Sequence, residues 1–242
     1  MSSAVVLIPA RFQSTRFPGK PLALISGKPM IEWVYTNVSE SGLPTFVVTD
    51  DARIEATVRG FGGQVLRVDD DVPSGSERIA LAYQRFLKAK QVDFVVNVQG
   101  DEPLLKGAVL RELVEFHAKS AFDVTTLVRQ RSRSDADWSN PNVVKAVLGL
   151  EGRVSYFSRA SVPYERDAQT APWFQHVGVY CYRARALEAF VQWPASPLEN
   201  LEKLEQLRGL EHGQSFGALI TPQTLMGVDA PDDVKRIEEI LK

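Results

Sequence analysis

Residues 4–22 read AVVLIPARFQSTRFPGKPL, a short apolar run followed by a basic stretch rich in proline. The apolar run predicts a buried strand, and Arg11, Arg16 and Lys20 follow it on a loop broken by proline and glycine. Open α/β sheets bind their ligands at the carboxyl ends of their strands. Because guanidinium and ammonium groups bind phosphate oxygens, this loop predicts a site for a nucleotide triphosphate.

Two common phosphate motifs do not describe this loop. Gly19-Lys20 is followed by Pro21 rather than by serine or threonine, so the loop is not a Walker motif. Gly60-Phe61-Gly62-Gly63 ends a helical pattern and precedes a strand, which is the reverse of the order in a dinucleotide fingerprint. For the loop taken alone, solvated surface cations are the alternative interpretation.

Composition limits the class of protein. The 242-residue chain is 44% hydrophobic, which suffices for a buried core, and its net charge of -2 gives no general attraction to nucleic acid or to an anionic membrane. The single cysteine, Cys181, excludes an internal disulfide, and its apolar surroundings in sequence predict a core position. Without a leader pattern or a long apolar run, we expect a soluble cytoplasmic protein.

Apolar runs alternate with amphipathic ones along the chain. The predicted strands are residues 4–8, 45–48, 64–68, 94–98, 123–127, 143–148, 177–182 and 216–220. The predicted helices are residues 30–40, 51–60, 76–89, 106–118, 184–191, 198–211 and 231–241. Since the first four strands each alternate with a helix, we predict an α/β, Rossmann-like fold with a mostly parallel central sheet and helices on both faces. We expect a single domain, residues 1–242, with long loops at 128–142 and 159–174 in an elaborated second half.

Carboxylates are predicted at the same edge of the sheet as the basic loop. The predicted strand 94–98 ends in Gln99-Gly100-Asp101-Glu102, and Asp229 precedes the last predicted helix. Carboxylate oxygens are suitable magnesium ligands when a metal bridges to substrate phosphates. A turn aspartate or a helix cap is the alternative interpretation of either residue.

Two further polar segments lie between the second and fourth helices. Ser74-Gly75-Ser76-Glu77-Arg78 offers hydroxyl groups and close backbone approach for a nucleotide base, or equally a cap for the next helix. Asp69-Asp70-Asp71 is similar to the Asp-x-Asp metal motif of nucleotide-sugar-dependent glycosyltransferases, with a solvated turn as the alternative.

These segments together resemble the 3-deoxy-manno-octulosonate (Kdo) cytidylyltransferase family, in order and over nearly the whole chain. The segments that carry the resemblance are residues 9–22, 74–78, 98–103, 140–145, 156–160, 176–180, 201–208 and 227–229. Tyr156-Phe157-Ser158-Arg159-Ala160 and the Leu-Glu-Gln-Leu-Arg run at 204–208 are more specific than the opening loop, which other nucleotidyltransferases share.

The resemblance implies a nucleotidyltransferase fold and a reaction. CTP and Kdo would give CMP-Kdo and pyrophosphate for lipopolysaccharide biosynthesis, with Mg²⁺ as cofactor and a homodimer as the assembly. The sugar's anomeric hydroxyl would attack the α-phosphorus without a separate protein base. The half at about 1–127 would bind CTP, and the half at about 128–242 would bind the sugar and form the dimer.

The resemblance also implies roles for individual residues. The catalytic residues would be Arg11, Lys20, Asp101 and Asp229, the last two as metal ligands. The nucleotide-binding residues would be Ala10, Arg11, Arg16, Lys20, Ser74, Gly75, Arg78 and Gln99. The sugar-binding residues would be Gln99, Arg159, Arg166, His176, Tyr180, Glu205 and Gln206.

Alternatives remain open at several of these positions. His176 is also explained as a structural residue beside a strand, and Arg166 as part of an exposed loop. Glu205 and Gln206 are also explained as the solvated face of a helix. The predicted buried face of that helix consists of Leu198, Leu201, Leu204 and Leu207. The chain departs from the family at residues 50–53 and 165–175, so an 8-amino analogue of Kdo is an alternative substrate. A glycosyltransferase and a non-catalytic nucleotide-binding regulator are more remote alternatives.

Overall fold

The computed structural model describes residues 3–13, 17–72, 74–167, 171–228 and 230–241. The strands are β1 Ala4–Pro9, β2 Leu24–Ile25, β3 Lys28–Pro29, β4 Thr45–Thr49, β5 Val65–Arg67, β6 Phe94–Val98, β7 Val124–Arg131, β8 Lys145–Leu148, β9 Val154–Ser158, β10 Trp173–Arg183 and β11 Phe216–Ile220. The α-helices are α1 Met30–Ser39, α2 Ala52–Gly60, α3 Gly75–Ala82, α4 Gly107–Lys119, α5 Ala184–Phe190, α6 Pro197–Glu202, α7 Gln206–Glu211 and α8 Pro231–Ile240. No helix in the described ranges is both long and apolar enough to cross a membrane.

The chain divides into two compact units. The first contains Met1–Val114 and Thr224–Lys242, and the second contains Glu115–Gln223. This division differs from the predicted halves at 1–127 and 128–242, because the last segment of the chain belongs to the first unit. There Ile237 of α8 and Val228 pack against Ile25, Met30 and Leu104 in a buried apolar cluster.

The first unit contains a four-stranded parallel sheet in the order β6-β1-β4-β5. All six residues of β1 are buried, as expected of a strand covered on both faces. The sequence correctly predicted all four strands and their parallel direction. Since β4 lies on one side of β1 and β6 on the other, the strand order reverses between β1 and β6.

The second unit contains both parallel and antiparallel strand pairs. β11 runs parallel to β7, whereas β10 runs antiparallel to both β7 and β8, and β8 runs antiparallel to β9. β9 was not predicted, and β10 begins four residues before the predicted strand 177–182, so His176 lies within a strand. The predicted α/β class and mostly parallel strand arrangement are confirmed, and the antiparallel pairs, which were not predicted, make the arrangement mixed.

The predicted helix at 198–211 is two helices. It is interrupted at Lys203, whose backbone is left-handed with φ 53° and ψ 47°. The interruption rotates α6 relative to α7, so Leu201 is 79% exposed while Leu204 and Leu207 are buried. The prediction that Leu201 supplies the buried face of one continuous helix is therefore wrong.

Candidate functional site

The loops that follow β1 and β6 lie side by side where the strand order reverses. This is the position at which open α/β sheets bind their ligands. Gly100, after β6, allows the two loops to meet, because a Cβ atom there would lie 2.9 Å from the carbonyl oxygen of Pro9. Backbone therefore contacts backbone, and any larger residue at position 100 would separate the two loops.

Lys20 and Asp101 form an ion pair at this edge of the sheet, and their predicted roles in binding triphosphate and metal stay predictions. The Lys20 ammonium lies 2.5 Å from Asp101 Oδ2, and the two side chains are 17% and 29% exposed. Lys20 also donates to the carbonyl of Val228 at 2.9 Å, and the Val228 amide donates to the carbonyl of Asp101 at 3.0 Å. Asp229, the second predicted metal ligand, lies outside the described residues.

Arg11 holds the segment that leads into α3. Its guanidinium donates to the carbonyl of Val72 and, at 2.8 Å, to the carbonyl of Ser74. Burial lowers the pKa of Arg11, and the nearby positive charge of Arg78 lowers it further. Arg16, which was predicted to support Arg11 and Lys20, lies outside the described residues.

A cleft of about 870 Å³ opens beside Arg11. It is lined by Arg11, Phe12, Gln13, Pro18, Asp50, Asp51, Asp69, Asp71 and Arg78. The Arg78 side chain is only 1% exposed, and its guanidinium donates to Asp50 Oδ2 and to the carbonyl of Val68, each at 2.6 Å. Arg78 thus joins the end of β4 to the segment after β5. Its predicted nucleotide contact stays a prediction.

Ser74, Gly75, Gln99 and Ala10 surround the end of β1. Ser74 Oγ accepts a hydrogen bond from the Glu77 amide at 3.1 Å, so the helix-capping interpretation of Ser74 is correct. A Cβ atom on Gly75 would lie 3.2 Å from Pro9 Cγ and 3.8 Å from Gln99 Oε1. Ala10 is buried and its amide donates to the carbonyl of Val48 at 2.9 Å. These four predicted nucleotide-binding residues are therefore close to one another.

The acidic residues around the cleft form ion pairs. Asp69 lies 2.5 Å from Arg67, and Asp70 lies 2.5 Å from Arg85, whose hydrogen bond lowers the pKa of Asp70. Asp51 caps α2, and its hydrogen bond with the Arg53 side chain lowers the pKa of Asp51 to about 2. The Asp69-Asp70-Asp71 turn is thus partly neutralised by neighbouring arginines.

Sequence reasoning missed one contact at the mouth of the cleft. The Arg53 guanidinium carbon lies 3.3 Å from the centre of the Phe12 ring, and Phe12 also covers Gly19. The contact fixes the basic loop against the start of α2. Nothing in the sequence could have indicated it, because Phe12 lies on the loop after β1 whereas Arg53 lies in α2.

In the second unit, three predicted sugar-binding residues are grouped on and beside β10. The His176 ring centre lies 5.4 Å from that of Tyr180 and 4.8 Å from that of Phe157. Burial lowers the pKa of His176 to about 3, so its imidazole is neutral near pH 7 and suited to hydrogen bonding. Burial raises the pKa of Tyr180, with a further contribution from the charge of Glu205, which places Glu205 near Tyr180.

The remaining predicted sugar-binding residues have different environments. Arg159 donates to the carbonyls of Pro141, Glu202 and Lys203, at 2.9, 2.7 and 3.3 Å. Arg166 is exposed, and within the described residues its side chain has no hydrogen bond or ion pair. Gln206 is buried on α7, whereas Gln99 belongs to the first unit.

Sequence reasoning also gave no role to Lys145 and Glu202. The Lys145 side chain is completely buried, and its ammonium donates to the carbonyls of Asn140 and Arg159 at 2.7 and 3.2 Å. Glu202 accepts from Ser158 Oγ at 2.6 Å and from the Arg159 amide at 2.9 Å. The sequence signals for these residues are the lysine inside the apolar run at 143–148 and the position of both residues in segments that carry the family resemblance, 140–145 and 201–208. Cys181 is buried, as predicted, and burial raises the pKa of its thiol.

The fold and the first-unit site define a class of protein. A basic loop and a carboxylate at the reversal point of a parallel sheet are typical of nucleotide-binding α/β enzymes. Residues 5–216 match the family model described as cytidylyltransferase. The chain belongs to the cytidylyltransferase family, and this assignment does not favour the glycosyltransferase alternative.

Similar proteins extend over the whole chain. The 3-deoxy-manno-octulosonate cytidylyltransferase of Syntrophobacter fumaroxidans is 46% identical over 98% of this chain and 96% of its own length. The 8-amino-3,8-dideoxy-manno-octulosonate cytidylyltransferase of a Shewanella strain is 42% identical over 99% of this chain and 98% of its own. A solved structure of CMP:2-keto-3-deoxy-manno-octonic acid synthetase complexed with CTP is 35% identical, with a TM-score of 0.91, over 99% of this chain and 98% of that one.

Proposed function

We propose that this enzyme transfers a cytidylyl group from CTP to the anomeric hydroxyl of Kdo, releasing pyrophosphate, for lipopolysaccharide biosynthesis. The observation that carries the proposal is full-length similarity, at 46% identity, to a protein of this name. The contact between Lys20 and Asp101 at the reversal point of the sheet supports it, because this reaction needs cations and a carboxylate at one edge.

Arg11 and Lys20 would bind the triphosphate. In this reaction the sugar hydroxyl attacks the α-phosphorus while pyrophosphate leaves in line, so negative charge increases on the leaving oxygens. Both side chains already extend into the reversal point, where they bind Asp101 and the carbonyls of Val72 and Ser74. Phosphate oxygens would replace these partners. The flexible stem of lysine allows this exchange without a change of backbone.

We propose Mg²⁺ as the cofactor, with Asp101 and Asp229 as its protein ligands. Asp101 fits this role, because its partly exposed carboxylate already binds a cation, the Lys20 ammonium, at 2.5 Å. No cluster of three or more His, Cys, Asp or Glu side chains suited to a metal occurs within the described residues. Mg²⁺ commonly takes one or two carboxylates together with phosphate oxygens and water. Bound here, it would neutralise phosphate charge and lower the pKa of the attacking hydroxyl.

The sugar would bind through residues of the second unit. Tyr180, Glu205 and the neutral imidazole of His176 offer the donors and acceptors that sugar hydroxyls need. The sugar carboxylate calls for an arginine. Arg166 suits it, because within the described residues its guanidinium is exposed and uncommitted.

A pyrophosphate-release panel tests the proposed function. CTP, UTP and ATP are each combined with Kdo or its 8-amino analogue, with and without Mg²⁺. We expect release only when CTP, Mg²⁺ and an eight-carbon acid sugar are all present. No release with either sugar would refute the proposal, and release without added divalent metal in the presence of a chelator would refute the cofactor.

The 8-amino analogue is the second candidate substrate. It is favoured by the Shewanella relative, which is 42% identical over nearly the full chain and carries that name. Because the two sugars differ in one terminal group, the ratio of their kcat/KM values decides between them. A ratio above ten for Kdo would support the first candidate, and the inverse ratio would support the second.

We also propose a cytoplasmic homodimer. The family resemblance supports the dimer, and Leu150, Tyr164 and Leu201 of the second unit, which are 91%, 89% and 79% exposed, are large apolar side chains that an interface could bury. Cytoplasmic location follows from the proposed use of CTP, an intracellular nucleotide. Light scattering coupled to gel filtration would give twice the 26.9 kDa chain mass for a dimer. A mass of one chain at micromolar concentration would refute it.

A further inference from the structure

Arg159 and Glu202 bind each other's backbone. The Glu202 carboxylate accepts hydrogen bonds from the Arg159 amide and from Ser158 Oγ. In return, Arg159 Nε donates to the Glu202 carbonyl at 2.7 Å. Each side chain thus fixes the main chain of the other residue. The pair joins the end of β9 to the end of α6, although 43 positions separate them in sequence.

The same guanidinium has two further carbonyl partners. One terminal nitrogen donates to Pro141 at 2.9 Å and the other to Lys203 at 3.3 Å. All three guanidinium nitrogens are therefore directed at backbone oxygens, an arrangement that leaves little capacity for a bidentate contact with a sugar carboxylate. The buried Lys145 ammonium donates to the Arg159 carbonyl, which fixes Arg159 from the opposite side.

The pair acts on the turn between α6 and α7. Lys203 has a left-handed backbone, a conformation that is unfavourable for a residue with a Cβ atom. Both carbonyls at this turn, those of Glu202 and Lys203, accept from Arg159. Leu204 is then buried, and Glu205 and Gln206 begin α7. The start of α7, with Glu205 at its N-cap, therefore follows a turn that Arg159 holds.

We propose that Arg159 and Glu202 are a positioning pair that sets the turn at Lys203, so that Glu205 and Gln206 are oriented for the sugar. Arg159 acts through this turn and does not itself bind the sugar carboxylate. This inference rests on the proposed function, since the sugar is the ligand that the turn serves. It adds Glu202 to the residues on which the affinity for the sugar depends.

The test compares Arg159→Lys and Glu202→Gln with matched controls. Arg185→Lys is the control for the arginine, because Arg185 is 79% exposed and its ion pair with Asp123 is long, at 3.8 Å. Glu151→Gln, at an exposed position of the same unit, is the control for the glutamate. We expect each test variant to raise the KM for Kdo by roughly ten- to a hundredfold, the effect of losing one charge-assisted hydrogen bond. The KM for CTP should stay within about twofold, as the first-unit contacts are unchanged.

Two comparisons separate positioning from direct binding. If Arg159 bound the sugar carboxylate, Arg159→Lys would reduce the enzyme's preference for Kdo over its carboxamide. The positioning role predicts that this preference is unchanged. It also predicts that the double variant resembles the worse single variant, since both changes disable one unit. The inference would be overturned if the two substitutions multiplied each other's effect on the KM for Kdo in the double variant. A reduced preference of Arg159→Lys for Kdo over its carboxamide would also overturn it.

Hydrogen exchange provides a readout independent of turnover. Glu202→Gln should accelerate amide exchange at residues 203–206, with the strands of the first unit unchanged. Unchanged exchange at 203–206 would overturn the proposal. If a variant does not fold, Glu202→Asp replaces it, because it keeps the negative charge on a shorter side chain. It must then raise the KM for Kdo and accelerate exchange at residues 203–206 without changing the KM for CTP. Absence of pyrophosphate release by the unmodified enzyme would refute the proposed function instead, and the exchange result would still decide whether the pair holds the turn.

Discussion

Replacing Asp101 by asparagine separates the catalytic role of this carboxylate from its structural one. The substitution removes the negative charge that lies 2.5 Å from the Lys20 ammonium. Both side chains are partly exposed, so the lost ion pair should reduce the free energy of unfolding by only about 1 kcal/mol. Lys20 keeps its hydrogen bond to the Val228 carbonyl. For a chain of this size, the expected decrease in Tm is about 3 °C.

The expected loss of activity is much larger. A carboxamide is a weak and uncharged magnesium ligand, so the metal would no longer neutralise charge on the transferred phosphate. We expect turnover to fall by at least about a thousandfold, which corresponds to roughly 4 kcal/mol of transition-state stabilisation. Pyrophosphate release at saturating CTP and Kdo measures turnover, and calorimetry measures Tm with and without Mg²⁺. A Mg²⁺-dependent rise in Tm should be present in the unmodified enzyme and absent in Asp101→Asn.

Asp232→Asn is the matched control, because the Asp232 side chain is 94% exposed on α8 and makes only a distant ion pair with Lys235. It should retain both turnover and the Mg²⁺-dependent rise in Tm. Turnover by Asp101→Asn above about a tenth of the unmodified value would refute the metal role, since a lost metal ligand cannot leave so small an effect. A decrease in Tm beyond about 10 °C would instead show that the carboxylate is mainly structural.

Three further predictions concern other parts of the fold. Gly100→Ala places a Cβ atom 2.9 Å from the Pro9 carbonyl, so it should separate the two site loops and raise the KM for CTP at least about fivefold in steady-state assays; an unchanged KM would contradict the backbone contact. Arg78→Met removes the buried guanidinium that donates to the Val68 carbonyl and to the partly exposed Asp50, and it should reduce the free energy of unfolding by about 1–2 kcal/mol in urea titrations; a change below about 0.5 kcal/mol would argue against this role. Burial lowers the pKa of His117 from 6.5 to about 4, so between these pH values the unfolded chain binds a proton that the folded chain does not. The free energy of unfolding should therefore fall as the pH drops from 6.5 to 4, by up to about 1.4 kcal/mol per unit, and His117→Gln should remove this part of the slope.

The sequence alone determined most of the first unit. Each of its four parallel strands lies in a short, mostly apolar run, and each run is separated from the next by an amphipathic pattern of helical period. These signals are local, so they could be recognised without knowledge of the rest of the chain. The alternation also determined the parallel direction, because a helix between two strands returns the chain to the same edge. Because parallel strands end at the same edge, the sequence predicted Arg11, Lys20 and Asp101 at one edge of the sheet.

The second unit was predicted less well, for a physical reason. β9 was missed because Val154-Ser155-Tyr156-Phe157-Ser158, although as long as β4 and β6, has its apolar residues interrupted by serines, and it becomes a strand by pairing with β8. The break at Lys203 was missed because the leucine spacing on either side is helical. A lysine has no preference for a left-handed backbone, so the break depends on partners elsewhere in the chain.

Tertiary structure decided which partners the charged residues have. The sequence identified Lys20 and Asp101 separately, but they are 81 positions apart, and only the packing of β1 beside β6 brings them to 2.5 Å. Arg159 was predicted from sequence as a sugar ligand, yet its guanidinium is directed at three backbone carbonyls. Periodicity specifies elements because it reflects local burial. The partner of a side chain depends on the free energy of the whole packed chain, which no local pattern contains.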